Sequence, residues 1–529
     1  MKGTTTWIVV WLAAALAACG QDSVDMVTGV GKAGARRLSR VEYDQTLRDL
    51  LLDESRSGFA KLPEDVADPF DNDYTTQEAS GVLVEVTETL AIEAADRLLA
   101  DAAKRDQVIG CMPVGVADTA CLRSFVTHFG RLALRRPLSK DEIDRYLAFE
   151  AYAVEGNDFY IAPAMVISAL LQDPEFLYRV EVGAKVPARQ GLFRLNDFEV
   201  GTRLAYFLWG STPDDALLDL AEAGKLSSAD EVRSAAMRLL TDPRTRARVD
   251  RFHAMWLGFQ QLPHPPDLTL AMRTETSKLI ERVVFEEGRP WSDIFTSTES
   301  YIDARLAGIY GMAAPANGFA WMPYDGTASA RRGILSHGSF LSVVGKFGDT
   351  SPTLRGKLIR ERLLCEVVPP PPPNVNVDEP PASTSSPCKW DRYEAHRSVG
   401  SCAGCHNQMD PVGFGLENYD QTGRFRAFDN GLPACTIAGE GLLFGLTGDA
   451  EPTRFRGPAE LGQALVDSGR VEACLVTQVY RLAMGHREGA LDAPFLDQLG
   501  QSFAVSGRFD ELILDLVSTD AFGYRQEEN

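Results

Sequence analysis

The sequence predicts a mainly α protein made of several packed helical modules, with a minor β-hairpin. Three observations lead there. Capping boxes recur at Ser39-x-x-Glu42, Ser139-x-x-Glu142, Asn196-x-x-Glu199 and Ser228-x-x-Glu231, each followed by apolar residues at helical spacing. A length of 529 residues exceeds what one core can serve and predicts three to five modules. An apolar content of 45% is that of an ordinary folded protein, which excludes global disorder.

The N-terminus reads as an export signal. Lys2 precedes an apolar run from Trp7 to Ala18, too short for a stable membrane span. The ending Leu16-Ala17-Ala18-Cys19 resembles a bacterial lipobox, which implies cleavage after residue 18 and acylation of Cys19. Gly20 in place of Asp implies the outer membrane. The expected location is the cell envelope, with a lipid anchor as membrane partner and residues 19–37 as a polar tether.

The first helical module is expected over 38–110. Tyr43, Leu47, Leu50 and Leu51 share a face after the Ser39 cap, and a second helix is predicted from about Glu78 to Arg105. A loop with Cys111 and Cys121 opens a second module over 111–187. There Ile143, Tyr146 and Leu147 follow the Ser139 cap, and Asp173-Pro174 has the form of an N-cap with proline at the first helical position. The third module, 190–325, holds the Asn196 helix with Phe198, Ala205, Leu208 and Trp209. It continues through the Ser228 helix and one running from Asp242-Pro243 through Trp256.

Beyond it the composition changes. Five prolines, Pro369 to Pro373, cannot be helical and predict a stiff extended spacer within a loop at 367–388. This loop belongs to a module over 328–430. Asp429-Asn430-Gly431, between FRAF and LPACTI, reads as a hairpin turn. Helices return in the last module, 431–529, over Pro458 to Ser468 and Val471 to Met484.

A formal charge of −21 would repel phosphate backbones, so nucleic acid is excluded as a partner. The chemistry concentrates in CAGCH, Cys402 to His406. C-x-x-C-H is the spacing at which two thiols add to the vinyl groups of a haem while the next imidazole binds its iron. Nine Cys and seven His in this length give roughly 0.002 chance matches, so coincidence is a poor explanation. The expected cofactor is one covalent haem c on Cys402, Cys405 and His406. No hydrolase constellation competes, since His337 lies among serines without a nucleophile elbow.

Setting aside Cys19, Cys402 and Cys405 leaves Cys111, Cys121, Cys365, Cys388, Cys435 and Cys474, an even number that predicts up to three disulfides. Proximity favours Cys111–Cys121 and Cys365–Cys388, with Cys435–Cys474 by elimination. Fifteen connectivities remain formally open.

The distal iron ligand has two main candidates. His396 lies six residues before Cys402 on a flexible connection, and Met484 would come from a C-terminal helix. Met409, three residues past His406, would face the same side as His406 and reads as packing. His337 and His486 are weaker options, and an open distal site is a further alternative.

The segment from His396 to Arg426 resembles the cytochrome-c-like module of a large family first noticed in planctomycetes and also found in myxobacteria. The likeness runs through His396, Cys402, Cys405, His406, Asp410-Pro411, Gly413-Phe414, Leu416-Glu417, Tyr419-Asp420, Gly423 and Arg424. The family tolerates Ile at the position of Met409, and its usual RYALGR lacks a Met where this chain has RLAMGH. His396 therefore ranks above Met484. RRLSRVEYDQTLRDLL, FGRLALRRPLSKDEIDRY, LNDFEVGTRLAYFLWG and VEACLVTQVYRLAMGHR are similar to four further modules of the family. All five are domains of unknown function, so the resemblance implies architecture rather than activity.

Three functions follow for testing. The first is electron transfer or redox sensing by an exported monohaem lipoprotein with an unidentified redox partner, not an enzyme. The second is a peroxidase-like haem enzyme, weakened because dihaem peroxidases need two C-x-x-C-H motifs and this chain has one. The third is a binding or scaffold lipoprotein among polysaccharide-associated proteins, which relatives joined to carbohydrate-binding modules imply.

Overall fold

The computed structural model describes residues 30, 34–187, 189–324, 331–346, 348–373, 381–383, 386–448 and 451–527. Cys19, the apolar run before it and nearly all of the tether lie outside them. Among the described residues no helix is long and apolar enough to cross a membrane.

The chain is mainly α, and its sheets have only two or three short strands. All four capping boxes form, at the heads of helices Arg40–Leu51, Lys140–Leu147, Asp197–Leu208 and Ala229–Leu240. In each, the cap side chain accepts the third backbone N–H and the Glu at that position reaches back to the cap, satisfying two orphan donors. Asp173 and Asp242 cap proline-first helices as expected. The helix expected from Glu78 to Arg105 is instead two, Gly81–Ala100 and Ala102–Ile109. Asp101 ends the first and caps the second through the Ala103 and Lys104 N–H groups.

Two main cores organise the molecule. The first gathers Tyr43, Leu90, Phe125, Val166 and Phe176 from helices between residues 40 and 177. The second collects Trp209, Trp256, Trp291, Ile359, Leu416, Leu475 and Phe522, so the three C-terminal modules read from the sequence share one interior. Backbone ladders tie distant segments together. Arg36–Arg37 pairs antiparallel with Tyr178–Arg179, and Tyr524–Gln526 pairs with Leu192–Arg194. Buried Glu181 joins these seams by accepting from Arg36 at 2.8 Å and from Arg203 at 2.5 Å.

Two expectations are corrected. Cys111 pairs with Cys121, but Cys365 pairs with Cys474 and Cys388 with Cys435, not Cys365 with Cys388 or Cys435 with Cys474. The reason lies in packing. Cys365 follows the turn Ile359–Leu363, which packs on helix Arg470–Met484, the element that carries Cys474. Cys388 opens the helix Lys389–Arg392, whose Lys389 N–H donates to the Asp429 carboxylate at 2.8 Å, bringing it to the Cys435 loop. The second correction concerns the hairpin. Asp429–Gly431 does reverse the chain, with Asn430 at φ 49°, yet only a single bridge forms there, Phe428 with Thr436. The extended ladder of this region lies later, between Glu440–Leu443 and Thr453–Arg456.

Candidate functional site

CAGCH lies on one helix, Gly400–Phe414. Its C-terminal half is clasped by helix Pro352–Leu358, and the two backbones meet at glycines: a Cβ on Gly356 would strike the Met409 carbonyl, and one on Gly413 would strike that of Pro352. Arg360 donates to the Gln408 carbonyl at 2.6 Å, and Arg355 donates to the carbonyls of Leu416 and Tyr419. The N-terminal half, which carries the motif, projects beyond this clasp.

A buried ion cluster fixes the module. Glu417 accepts from Arg355 at 3.1 Å, Lys389 at 2.9 Å and Arg426 at 2.8 Å, with the Thr350 hydroxyl at 2.6 Å. Burial would raise the Glu417 pKa, but these three cations outweigh it and hold the carboxyl below its usual range. Lys389 also pairs with Asp349 at 2.9 Å.

Among the described residues Cys402 and Cys405 are the free cysteines, the first half-buried and the second exposed. His406, one turn past Cys402, turns Nδ1 toward Asp410, 3.0 Å from Oδ1 and 3.2 Å from Oδ2. Asp410 is fully buried, and the Thr353 hydroxyl donates to its Oδ1 at 2.6 Å. Burial pushes the Asp410 carboxyl up, while His396, His406 and Thr353 together hold it below the ordinary value. A histidine that ligates metal through Nε2 commonly donates Nδ1–H to a carboxylate, which fixes tautomer and orientation. Two thiols, an oriented imidazole and a buried acceptor behind it fit the attachment of a c-type haem.

His396, on the short helix Glu394–Ser398, is brought to the same carboxylate. Its Nδ1 lies 3.6 Å from Asp410 Oδ2, and its ring centre lies 4.0 Å from that of His406. Imidazoles bonded at about 2 Å on opposite sides of one metal stand with ring centres about 6 Å apart. In this arrangement His396 is therefore beside His406 rather than opposite it. Met484 is elsewhere, buried in the second core at the end of a helix whose last carbonyls accept from Arg36 and Asn72. Met409 is buried on the clasped face. His337 is locked in a buried polar network, with Nδ1 3.0 Å from the Thr276 hydroxyl and burial pushing its pKa down to about 3. His486 donates Nδ1–H to the Arg487 carbonyl and meets the rings of Tyr74 and Tyr480.

The motif by itself assigns Asp410 no role. The signal was present, since a carboxylate four residues after a histidine on a helix lies on the same face. Thr353 had no such signal, because it arrives from another helix.

Five family profiles match the chain, each described as a protein of unknown function. They are DUF1587 at residues 36–100, DUF1595 at 121–181, DUF1592 at 195–312, DUF1588 at 331–429 and DUF1585 at 452–522. The profile covering the C-x-x-C-H helix bears the short name PSCyt3, which points to a cytochrome-like module. No curated protein and no solved structure matches the chain. With all five modules present from residue 36 to residue 522, the chain belongs to the family defined by these five modules of unknown function.

Proposed function

We propose that this protein is an exported monohaem c-type lipoprotein that transfers electrons at the cell envelope. One observation carries the reading. The described cysteines other than Cys402 and Cys405 are consumed in three disulfides, leaving free the two that stand at haem-attachment spacing before an oriented histidine. Paired cysteines belong to an oxidising compartment, where c-type haem is attached.

In this reading Cys402 and Cys405 would hold the haem through thioethers and His406 Nε2 would ligate its iron, and the group would supply one-electron chemistry. The chain's own residues set the conditions. Asp410 accepts the Nδ1 proton and makes His406 a stronger donor to metal. Thr353 holds the Asp410 carboxylate in place, and the Glu417 cluster keeps the two helices in register. In this arrangement neither His396, beside His406, nor Met484, buried in the second core, stands opposite His406, so a distal role for either would require the chain to rearrange. Cys19 would carry the lipid.

The test is a pyridine haemochrome spectrum with intact mass on chain matured in a host competent for c-type cytochromes. One covalent haem per chain is expected, lost in Cys402→Ala/Cys405→Ala; a mature chain without covalent haem overturns the reading. Cys19→Ala is expected to leave the membrane fraction, and its retention there unlipidated would overturn the anchor.

A further inference from the structure

His396, His406 and Asp410 offer three ligand atoms within 4.8 Å of one another. The carboxylate lies 3.0 Å from one Nδ1 and 3.6 Å from the other. Donors around a tetrahedral cation bonded at about 2.1 Å stand about 3.4 Å apart, a value between these two. The surroundings also call for positive charge. Asp410 is fully buried, and among the described residues its ion-pair partners are the two histidines, with no lysine or arginine within pairing distance. His396 Nδ1 is itself a buried atom without a hydrogen-bond partner, aimed at that carboxylate. Thr353 supplies the outer hydrogen bond that ligating carboxylates usually have.

We propose that, before haem is attached, the chain binds a divalent cation of the zinc class through His396 Nδ1, His406 Nδ1 and the Asp410 carboxylate. Two imidazoles and one carboxylate form a borderline donor set that suits zinc and leaves a fourth position for water. The cation takes Nδ1 of His406, whereas a haem iron would take Nε2, so the inference does not depend on haem being attached later. Its consequence is structural. It would pin the short helix Glu394–Ser398 to the motif helix across the connection that separates His396 from Cys402.

The experiment uses the full chain as Cys402→Ala/Cys405→Ala, which can form neither thioethers nor a thiolate–zinc site. Zinc is titrated by calorimetry against a chromophoric chelator, with cobalt absorption as a second readout. One equivalent per chain is expected, weakened at least ten-fold by His396→Ala and by Asp410→Asn. Because Asp410 is fully buried, its replacement risks the fold, and His396→Ala at a partly exposed position decides. Absence of saturable binding overturns the proposal. So does binding that neither substitution weakens, or binding found only when both cysteines are present.

Discussion

The Nδ1 atom of His406 lies 3.0 Å from Oδ1 of Asp410, a carboxylate sealed from solvent one helical turn further on. Holding an imidazole in one pose on an exposed helix end costs side-chain entropy, which a hydrogen bond to this carboxylate offsets. Asp410→Asn keeps the shape and removes the charge. It is expected to cost about 1–3 kcal/mol of stability, because a buried donor loses a charged acceptor. In haem-loaded protein it should also raise the midpoint potential, since a less basic His406 stabilises oxidised iron less. Urea melts and a redox titration check both; an unchanged potential would show that Asp410 does not act through His406.

Glu417 meets three cations at once, and its loss would leave them facing one another in the interior. Breaking a buried ion cluster by removing one member typically costs about 3–5 kcal/mol. Glu417→Gln is expected to fall in that range by denaturant unfolding, well beyond the median of at most about 1 kcal/mol for exposed pairs. The exposed pair Lys140–Asp144 provides the internal control: Asp144→Asn should change stability little.

What was legible in the sequence was local. Ser39, Ser139, Asn196 and Ser228 announced their helices because a capping box is satisfied within four residues. CAGCH was legible because its chemistry is written in consecutive positions. Pairings across the fold were not. Cys365 and Cys474 are 109 residues apart, and no local rule favours that pair over the nearer Cys388. Likewise Thr353 reaches Asp410, and His396 shares it with His406, only because two other helices pack against the motif helix. Asp429–Gly431 reverses the chain, but the hairpin its sequence predicts does not extend into a ladder, because a ladder depends on partners that the turn does not choose.

The disulfide pattern gives a direct check. Non-reducing peptide mapping should recover Cys365 linked to Cys474 and Cys388 linked to Cys435, and no Cys365–Cys388 peptide. By loop-closure entropy the 109-residue link should stabilise by roughly 5 kcal/mol and the 10-residue link at Cys111–Cys121 by roughly 3 kcal/mol. Cys365→Ala/Cys474→Ala is therefore expected to lower the urea midpoint more than Cys111→Ala/Cys121→Ala.

Glu275 ties the third module to the base of the C-x-x-C-H module and should make stability depend on pH. The Ser300 and Tyr310 hydroxyls donate to its two oxygens at 2.5 and 2.6 Å, and Tyr310 in turn accepts the Gly338 N–H at 2.7 Å. Arg331 lies between the rings of Tyr310 and Tyr419, and His337 Nε2 is 3.8 Å from the carboxylate. Burial pushes the Glu275 pKa up to about 7, more than these hydroxyls and Arg331 lower it. A folded value above the unfolded one means the native state prefers the protonated acid. Its contribution is therefore fully present below about pH 4.5 and is lost as pH rises through about 7, amounting to about 3 kcal/mol. Glu275→Gln mimics the protonated form and should not lose it. Urea midpoints from pH 5 to 8.5 should thus converge at the acid end and separate at the alkaline end, with the variant the more stable. Parallel curves would show that Glu275 does not change its charge over this range.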